Sequence, residues 1–108
     1  MKKIYLFSYL ILFFSNPLIA QADSVMELGL EVYNNKAQCG VCHILQTAGS
    51  EGQIGPNLDQ LKPQEGQIIS AVTNGIGVMP AFEGTLTDEE IEAVAYYVSK
   101  STNKFINK

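Results

Sequence analysis

Hydrophobic positions recur at helical spacing in three separate stretches of the chain, at about 24–36, 64–74 and 87–101. Spacings of three and four residues place such side chains on one face of a helix, so each stretch predicts an amphipathic helix. Two of the stretches begin with a capping box, the pattern of a Ser or Thr followed three residues later by Glu. These pairs are Ser24 with Glu27 and Thr87 with Glu90.

The segments between these helices are rich in glycine and proline, which predicts loops. Residues 44–63 contain Gly49, Gly52, Gly55 and Pro56, and residues 78–84 contain Met79-Pro80. No segment shows the strict alternation of a half-buried strand. The pattern predicts an all-α fold of three or four helices joined by long loops. Such a chain has little self-sufficient core and is suited to wrapping a flat cofactor.

The first residues match a secretory signal in order and size. Lys2 and Lys3 precede an apolar run at residues 4–14, and Ala20-Gln21-Ala22 has the small-x-small pattern of a cleavage site. The eleven-residue run is shorter than the ~20 residues of a spanning helix, and extending it would bury Asn16 and Pro17. We therefore expect cleavage after Ala22, export to the periplasm, and a single domain at 23–108 with no membrane span.

The charge of this domain restricts its partners. Residues 23–108 contain five lysines, no arginine and eleven carboxylates, for a net charge of −6. An acidic protein of this kind is a poor ligand for nucleic acid or anionic lipid. It suits a basic docking surface on another protein.

The candidate chemistry lies within five positions, Cys39-Gly-Val-Cys42-His43, which hold both cysteines and the only histidine. Cys-x-x-Cys-His is the attachment sequence for c-type haem. Two cysteines three residues apart can each reach one vinyl group of a porphyrin, and the adjacent histidine is then carried under the ring. This motif predicts one haem c, bound through Cys39 and Cys42 with His43 on the iron.

Other interpretations of the motif are weaker. A structural zinc site needs four protein ligands and a catalytic one needs three, whereas this chain offers one tightly spaced set. A thioredoxin-like dithiol sits between a strand and a helix, and no such strand is predicted. A disulfide would close a very small loop and constrain little of the unfolded chain. An inert pair of buried cysteines would leave the adjacent histidine and the export signal as coincidences.

The second axial ligand is expected to be a methionine, because the chain has no other histidine. Two methionines follow the predicted signal. Met26 lies in the first helix, where packing is the default role. Met79 lies in a loop 36 residues after His43, far enough for the chain to pass around the ring edge. Met79 is the predicted ligand, and His/Met ligation favours electron transfer over oxygen chemistry.

In order and spacing, these motifs resemble class I cytochrome c. The matching segments are Gly29-x-x-x-Tyr33, Cys39-Gly-Val-Cys42-His43, Gly55-Pro56-Asn57-Leu58, Met79-Pro80-Ala81-Phe82 and Ala95-Tyr96-Tyr97-Val98. The chain lacks the lysine-rich face and the tryptophan of the larger mitochondrial members. It is more similar to the short bacterial and photosynthetic ones.

The resemblance implies a fold of three to four helices wrapped around one covalent haem. It implies that the Pro56 carbonyl accepts a hydrogen bond from Nδ1 of His43, and that Gly29 allows a close helix crossing at Tyr97. Apolar side chains are expected to line the haem pocket or its adjoining core: Leu58, Ile68, Val72, Ile76, Phe82, Leu86, Ile91 and Val94. Gln53, Asn57 and Gln60 are candidates to contact the propionates.

The function implied is that of a periplasmic one-electron carrier between larger redox proteins, and not an enzyme. It is expected to dock transiently, as a monomer. The alternative is a dedicated haem subunit of a periplasmic dehydrogenase, for example a sulfite- or alcohol-oxidising enzyme. A third class, a sensor or enzyme with an open iron site, conflicts with ligation by Met79.

Overall fold

Helices carry most of the regular structure in the computed structural model, which describes residues 17–103. In chain order they are α1 Pro17–Glu31, α2 Leu58–Leu61, α3 Glu65–Asn74 and α4 Asp88–Thr102. Two short antiparallel strands, β1 Ile44–Leu45 and β2 Ser50–Glu51, form a hairpin. A π-helical turn, Val32–Lys36, continues α1, and 3-10 turns cover Cys39–Val41 and Gln46–Ala48. The predicted all-α class is confirmed.

Helix α4 begins where its sequence predicts, because its N-terminus is stabilised locally. Thr87 Oγ1 accepts a hydrogen bond from the Glu90 amide at 3.1 Å, and Glu90 Oε1 accepts one from the Thr87 amide at 2.9 Å. The Thr87 backbone amide, together with Lys36, lowers the pKa of Glu90. Lys36 Nζ lies 3.2 Å from Glu90 Oε2, which ties the end of the π turn to α4.

Helix α1 starts earlier than predicted, at Pro17 rather than Ser24. Proline is favoured at the first helical position because its missing amide would be unpaired there anyway. Ser24 therefore lies inside the helix, and its Oγ donates to the Gln21 carbonyl at 3.3 Å instead of capping an N-terminus. Residues 1–16, most of the predicted signal, lie outside the described residues. No helix within residues 17–103 is long and apolar enough to cross a membrane.

The middle of the chain contains more regular structure than the sequence predicted. Helix α3 forms as expected, and Gln64 and Gln67 complete a capping box at its start. Helix α2 and the β1–β2 hairpin lie in a segment predicted to be loop. These elements are two to four residues long, too short to show a hydrophobic period. Asn57 caps α2 by accepting the Gln60 amide at 3.2 Å.

The core is organised around the crossing of α1 and α4. A Cβ atom at Gly29 would lie 2.4 Å from both the Ala93 carbonyl oxygen and Tyr97 Cβ, so the two helices pack almost backbone to backbone. One turn further along, the Tyr33 and Tyr97 rings pack with centroids 6.0 Å apart and planes inclined by 60°. Around them lie the buried side chains Val32, Leu45, Leu58, Ile68, Val72, Leu86, Ile91, Val94, Ala95 and Val98. The predicted role of Gly29 at Tyr97 is confirmed.

Replacing Gly29 with alanine tests this crossing. The added methyl group overlaps the α4 backbone, so we expect the free energy of unfolding to fall by about 1–3 kcal/mol. The matched control is Gly66→Ala in α3, where a Cβ meets no atom within 4 Å. That variant should be unchanged, or more stable by up to about 1 kcal/mol. Denaturant unfolding of both proteins gives the comparison, and equal stabilities would contradict the close packing.

Candidate haem site

The cysteine motif forms one tight turn in which a single carbonyl group accepts two hydrogen bonds. The turn opens at Gln38, whose φ of 54° is left-handed. The carbonyl of Cys39 then accepts the amide hydrogens of Cys42 at 3.1 Å and His43 at 3.0 Å. Both cysteines are half-buried and neither forms a disulfide. Burial raises the pKa of the Cys39 thiol to about 11.

The imidazole of His43 is held by the Gly55-Pro56 segment. Nδ1 lies 2.7 Å from the Pro56 carbonyl oxygen. Because a carbonyl only accepts, Nδ1 is the donor, and in the neutral ring Nε2 keeps its lone pair. A Cβ at Gly55 would lie 2.7 Å from His43 Cε1, so the backbone is packed against the ring. The Gly55 amide also donates to the Cys42 carbonyl at 2.7 Å, which ties this segment to the cysteine turn.

Met79 is presented by a separate loop after α3. Its amide and carbonyl both pair with Ile76, at 2.9 and 3.1 Å, which closes a turn through Gly77 and Val78. The Phe82 amide donates to Val72 at 2.8 Å and anchors the loop to α3. The Met79 side chain is partly buried against the central cluster, as is that of Cys39. Both predicted ligand segments therefore border the same core.

Gly75 determines where this loop runs. Its φ of 77° is strained for any residue with a Cβ, and a Cβ there would lie 2.7 Å from the Met79 carbonyl oxygen and 2.8 Å from the Ala81 amide nitrogen. The backbone of the Met-Pro-Ala segment thus crosses directly over this glycine.

Two residues that were predicted to border the haem have surroundings that the sequence did not indicate. Ile76, expected in the pocket lining, is 65% exposed, because it stands at the rim of the two-residue turn and not on α3. Asn57, a candidate propionate contact, uses its side-chain oxygen to cap α2. The remaining expected lining residues are buried, except Phe82, which is partly buried.

The sequence did not identify two polar side chains of the hairpin that contact the core tyrosines. Ser50 lies 2.8 Å from the Tyr33 hydroxyl, and Thr47 lies 3.0 Å from the Tyr97 hydroxyl. Tyr33 is fully buried, and burial raises its pKa to about 12. Neither Ser50 nor Thr47 belongs to a recognisable motif. Only the fold brings these residues together.

Known proteins with similar sequences and structures share this architecture. A family model described as cytochrome c oxidase, cbb3-type, subunit III matches residues 25–98. The chain is 39% identical over 85 residues to cytochrome c6 of Leptolyngbya boryana, covering 70% of this chain and 92% of that one. It is 32% identical to cytochrome c6 of Gracilaria tenuistipitata var. liui, covering 95% and 98%.

A solved structure agrees with the sequence relatives. The crystal structure of the c-type cytochrome SorU from Sinorhizobium meliloti superposes with a TM-score of 0.71 at 50% identity, over 74% of this chain and 93% of that one. The chain belongs to the class I cytochromes c. As a member, it is a small monohaem electron-carrier cytochrome, and the family implies haem c as its cofactor and redox proteins as its partners.

The side chains of this cytochrome fit a haem c. Cys39 and Cys42 are unpaired thiols in one turn, and the imidazole of His43 has Nδ1 engaged and Nε2 available. Met79 supplies a thioether from a loop fixed by hydrogen bonds at both ends. Imidazole nitrogen and thioether sulfur are the donor pair that raises the reduction potential of a haem iron.

A cleft of about 330 Å³ lies elsewhere on the cytochrome, between α1, α3 and α4. Its floor is formed by Val25, Leu28, Ala93 and Tyr96, and its rim carries Glu65, Glu89 and Glu92. None of Cys39, Cys42, His43 and Met79 lines it. The glutamates at its rim contribute to the negative charge of the surface.

Exchanging Gly75 for alanine tests how the Met79 loop is held. The new methyl group meets both strain and overlap, so we expect a loss of about 2–4 kcal/mol in the free energy of unfolding. Gly77→Ala is the control, since its φ is also positive, at 58°, but its Cβ would stand in open space. Strain alone should cost it about 1–2 kcal/mol. If denaturant unfolding gave equal losses for the two variants, the close approach of the Met79 loop to Gly75 would not contribute to the free energy of unfolding.

Proposed function

We propose that this cytochrome is a periplasmic one-electron carrier whose single haem is bound through Cys39 and Cys42, with His43 and Met79 as axial ligands. The observation that supports this most directly is the Nδ1 hydrogen bond from His43 to Pro56. It orients the ring, selects the tautomer with a free Nε2, and increases the basicity of that nitrogen, as contacts behind metal-bound histidines do.

Each residue of the site has a distinct part in this proposal. Cys39 and Cys42 would hold the haem through thioether bonds, in which each thiol would have added its sulfur and its hydrogen across one vinyl group. Pro56 and Gly55 hold the imidazole, and the Gly75 crossing holds Met79. When bound, the haem would supply the iron that gains and loses one electron. With His43 and Met79 both bound to the iron, no coordination position would be left for peroxide, carbon monoxide or nitric oxide.

We further propose that residues 1–22 are removed during export. Among residues 21–31 of α1, the buried one is Gly29, which lies well after the proposed cleavage site. Gln21 and Asp23, on either side of Ala22, are exposed. Removal of the signal therefore takes away none of the contacts between Gly29, Ala93 and Tyr97.

The docking partners are proposed to be redox proteins with basic surfaces. Carboxylates outnumber lysines eleven to five after residue 22. Opposite charges raise the rate of encounter and do so less at high salt. The alternative, a fixed haem subunit of a dehydrogenase, differs in one observable, because the native protein would then elute with a large partner and not near its own mass.

Replacing Met79 with alanine tests the ligand assignment. Protein is isolated from the periplasmic fraction of a haem-attaching host, where its intact mass should correspond to residues 23–108 plus one haem. The unmodified ferric protein should show a weak far-red methionine-to-iron band and should not bind carbon monoxide after reduction. Met79→Ala should lose the band and bind carbon monoxide, because one iron position is then open.

The control for this experiment is Met26→Leu, which replaces the other methionine with a side chain of similar volume. It should keep the far-red band and still exclude carbon monoxide. If the unmodified protein already bound carbon monoxide readily, the carrier assignment would be wrong. An intact mass without haem, in a host that attaches haem to other cytochromes, would remove the cofactor itself.

Small inorganic reductants test the charge argument without knowledge of the partner. Hexaammineruthenium(II) is a cation and the iron(II)–EDTA complex is an anion. An acidic protein attracts the first and repels the second, and salt screens both effects. Reduction of the ferric protein should therefore slow with added salt for the ruthenium complex and accelerate for the iron complex. The same salt response with both reductants would contradict docking controlled by an acidic surface.

A further inference from the structure

A chain of two hydrogen bonds joins the buried Tyr33 to the main chain of His43. Ser50 Oγ lies 2.9 Å from the carbonyl oxygen of His43 and 2.8 Å from the hydroxyl of Tyr33. The His43 carbonyl only accepts, so Ser50 must donate its one hydroxyl hydrogen to it. Tyr33 must then donate to Ser50. The direction of the whole chain is fixed, from Tyr33 through Ser50 to His43.

The surrounding structure leaves these groups little room to move. Tyr33 has no exposed surface, and its ring packs against Tyr97. Ser50 is in β2, where it is the register partner of Leu45, two residues after His43. A Cβ at Gly40 would lie 2.6 Å from Ser50 Cβ, so the hairpin presses directly on the cysteine turn.

His43 is thereby held at three points. Pro56 fixes Nδ1 of the ring, Gly55 packs against the ring, and Ser50 binds the carbonyl group. The first two contacts come from the segment after the hairpin. The third is transmitted from α1 and its π turn, because Tyr33 belongs to that turn.

We propose that Ser50 and Tyr33 are positioning residues for the axial histidine: through the His43 carbonyl they set the orientation of its imidazole against the haem, and with it the reduction potential. This rests on the proposed ligation by His43. Loss of the Ser50 hydroxyl leaves the His43 carbonyl without its donor and the buried Tyr33 hydroxyl without its acceptor. The main chain of His43 then keeps only the restraints of the cysteine turn and of the β1–β2 pairing that begins at Ile44, so the imidazole can shift within its contacts to Pro56 and Gly55.

The chain contains a natural control for this proposal. Thr47 lies in the same hairpin and contacts the other core tyrosine, with Thr47 Oγ1 3.0 Å from the Tyr97 hydroxyl. Both contacts are partly buried. The Thr47 contact joins the hairpin to α4, and the Ser50 contact joins it to the π turn that continues α1. Only the Ser50 contact continues to the His43 carbonyl. Loss of the Thr47 contact should therefore affect stability without turning the axial ring.

The test compares Ser50→Ala, Tyr33→Phe, their double mutant and Thr47→Val in the haem-loaded full chain. Two quantities are measured: the reduction potential, and the spread of the haem-methyl NMR shifts of the ferric protein, which reports the orientation of the axial ligands. Thermal unfolding is recorded for each variant. Ser50→Ala should change the potential and the shift pattern at least threefold more than Thr47→Val. Tyr33→Phe should change both in the same direction by less.

The double mutant tests for a relay, in which Tyr33 acts on His43 only through Ser50. If Tyr33 acts only through Ser50, the double mutant should match Ser50→Ala in potential and shift pattern. Additive changes would overturn the relay, and equal effects of Ser50→Ala and Thr47→Val would overturn the positioning role. Tyr33→Phe keeps the ring that packs on Tyr97, so it remains informative if Ser50→Ala does not fold. Absence of the far-red band from the unmodified protein would instead defeat the proposed function and its Met79 ligand.

Discussion

The close crossing of α1 and α4 at Gly29 is the constraint on which the rest of this cytochrome depends. It brings two helices within backbone contact, and one turn later it packs the Tyr33 ring against the tilted Tyr97 ring. Both tyrosine hydroxyls then contact the same β-hairpin, at Ser50 and Thr47. A wider crossing would separate the rings and move the hairpin, and with it the carbonyl group of His43. The geometry of the haem site therefore begins at a contact between the first and last helices.

The two proposed ligand segments are fixed in different ways. His43 lies in a turn with short local hydrogen bonds and receives its outer contacts from residues that follow soon afterwards in the chain. Met79 lies in a loop that is bounded by glycines and anchored to α3. A turn with many local bonds is expected to be the more rigid, and a loop with few is expected to open first when the structure is stressed.

The fold and the surface charge of this cytochrome depend on different residues. The fold is shared with cytochromes c6 and with SorU, at identities of 32–50%. This sequence has a net negative charge, to which the glutamates around the α1–α3–α4 cleft contribute. In α4, Glu90 is engaged by Thr87 and Lys36, whereas its neighbours Glu89 and Glu92 line that cleft.

The sequence alone was enough to predict features that depend on residues close together in the chain. The start of α4 follows from the Thr87–Glu90 capping box, and the chemistry of Cys39-x-x-Cys42-His43 follows from covalent spacing. The family, its fold and the crossing at Gly29 could likewise be predicted, because their motifs stand in a recognisable order. The two-residue strands and the four-residue α2 could not, since they are too short to carry a period.

Contacts between residues far apart in the chain could be identified only in the tertiary structure. Ser50 reaches Tyr33 across 17 residues and Thr47 reaches Tyr97 across 50, and neither serine nor threonine signals such a partner. Ile76 lies outside the buried core, because it belongs to the two-residue turn that follows α3. Helix α1 begins at Pro17, so the amides that Ser24 was expected to cap lie inside the helix and can pair with carbonyls of its preceding turn. Local hydrogen bonds can be read from adjacent residues, whereas contacts made by chain crossing depend on the whole fold.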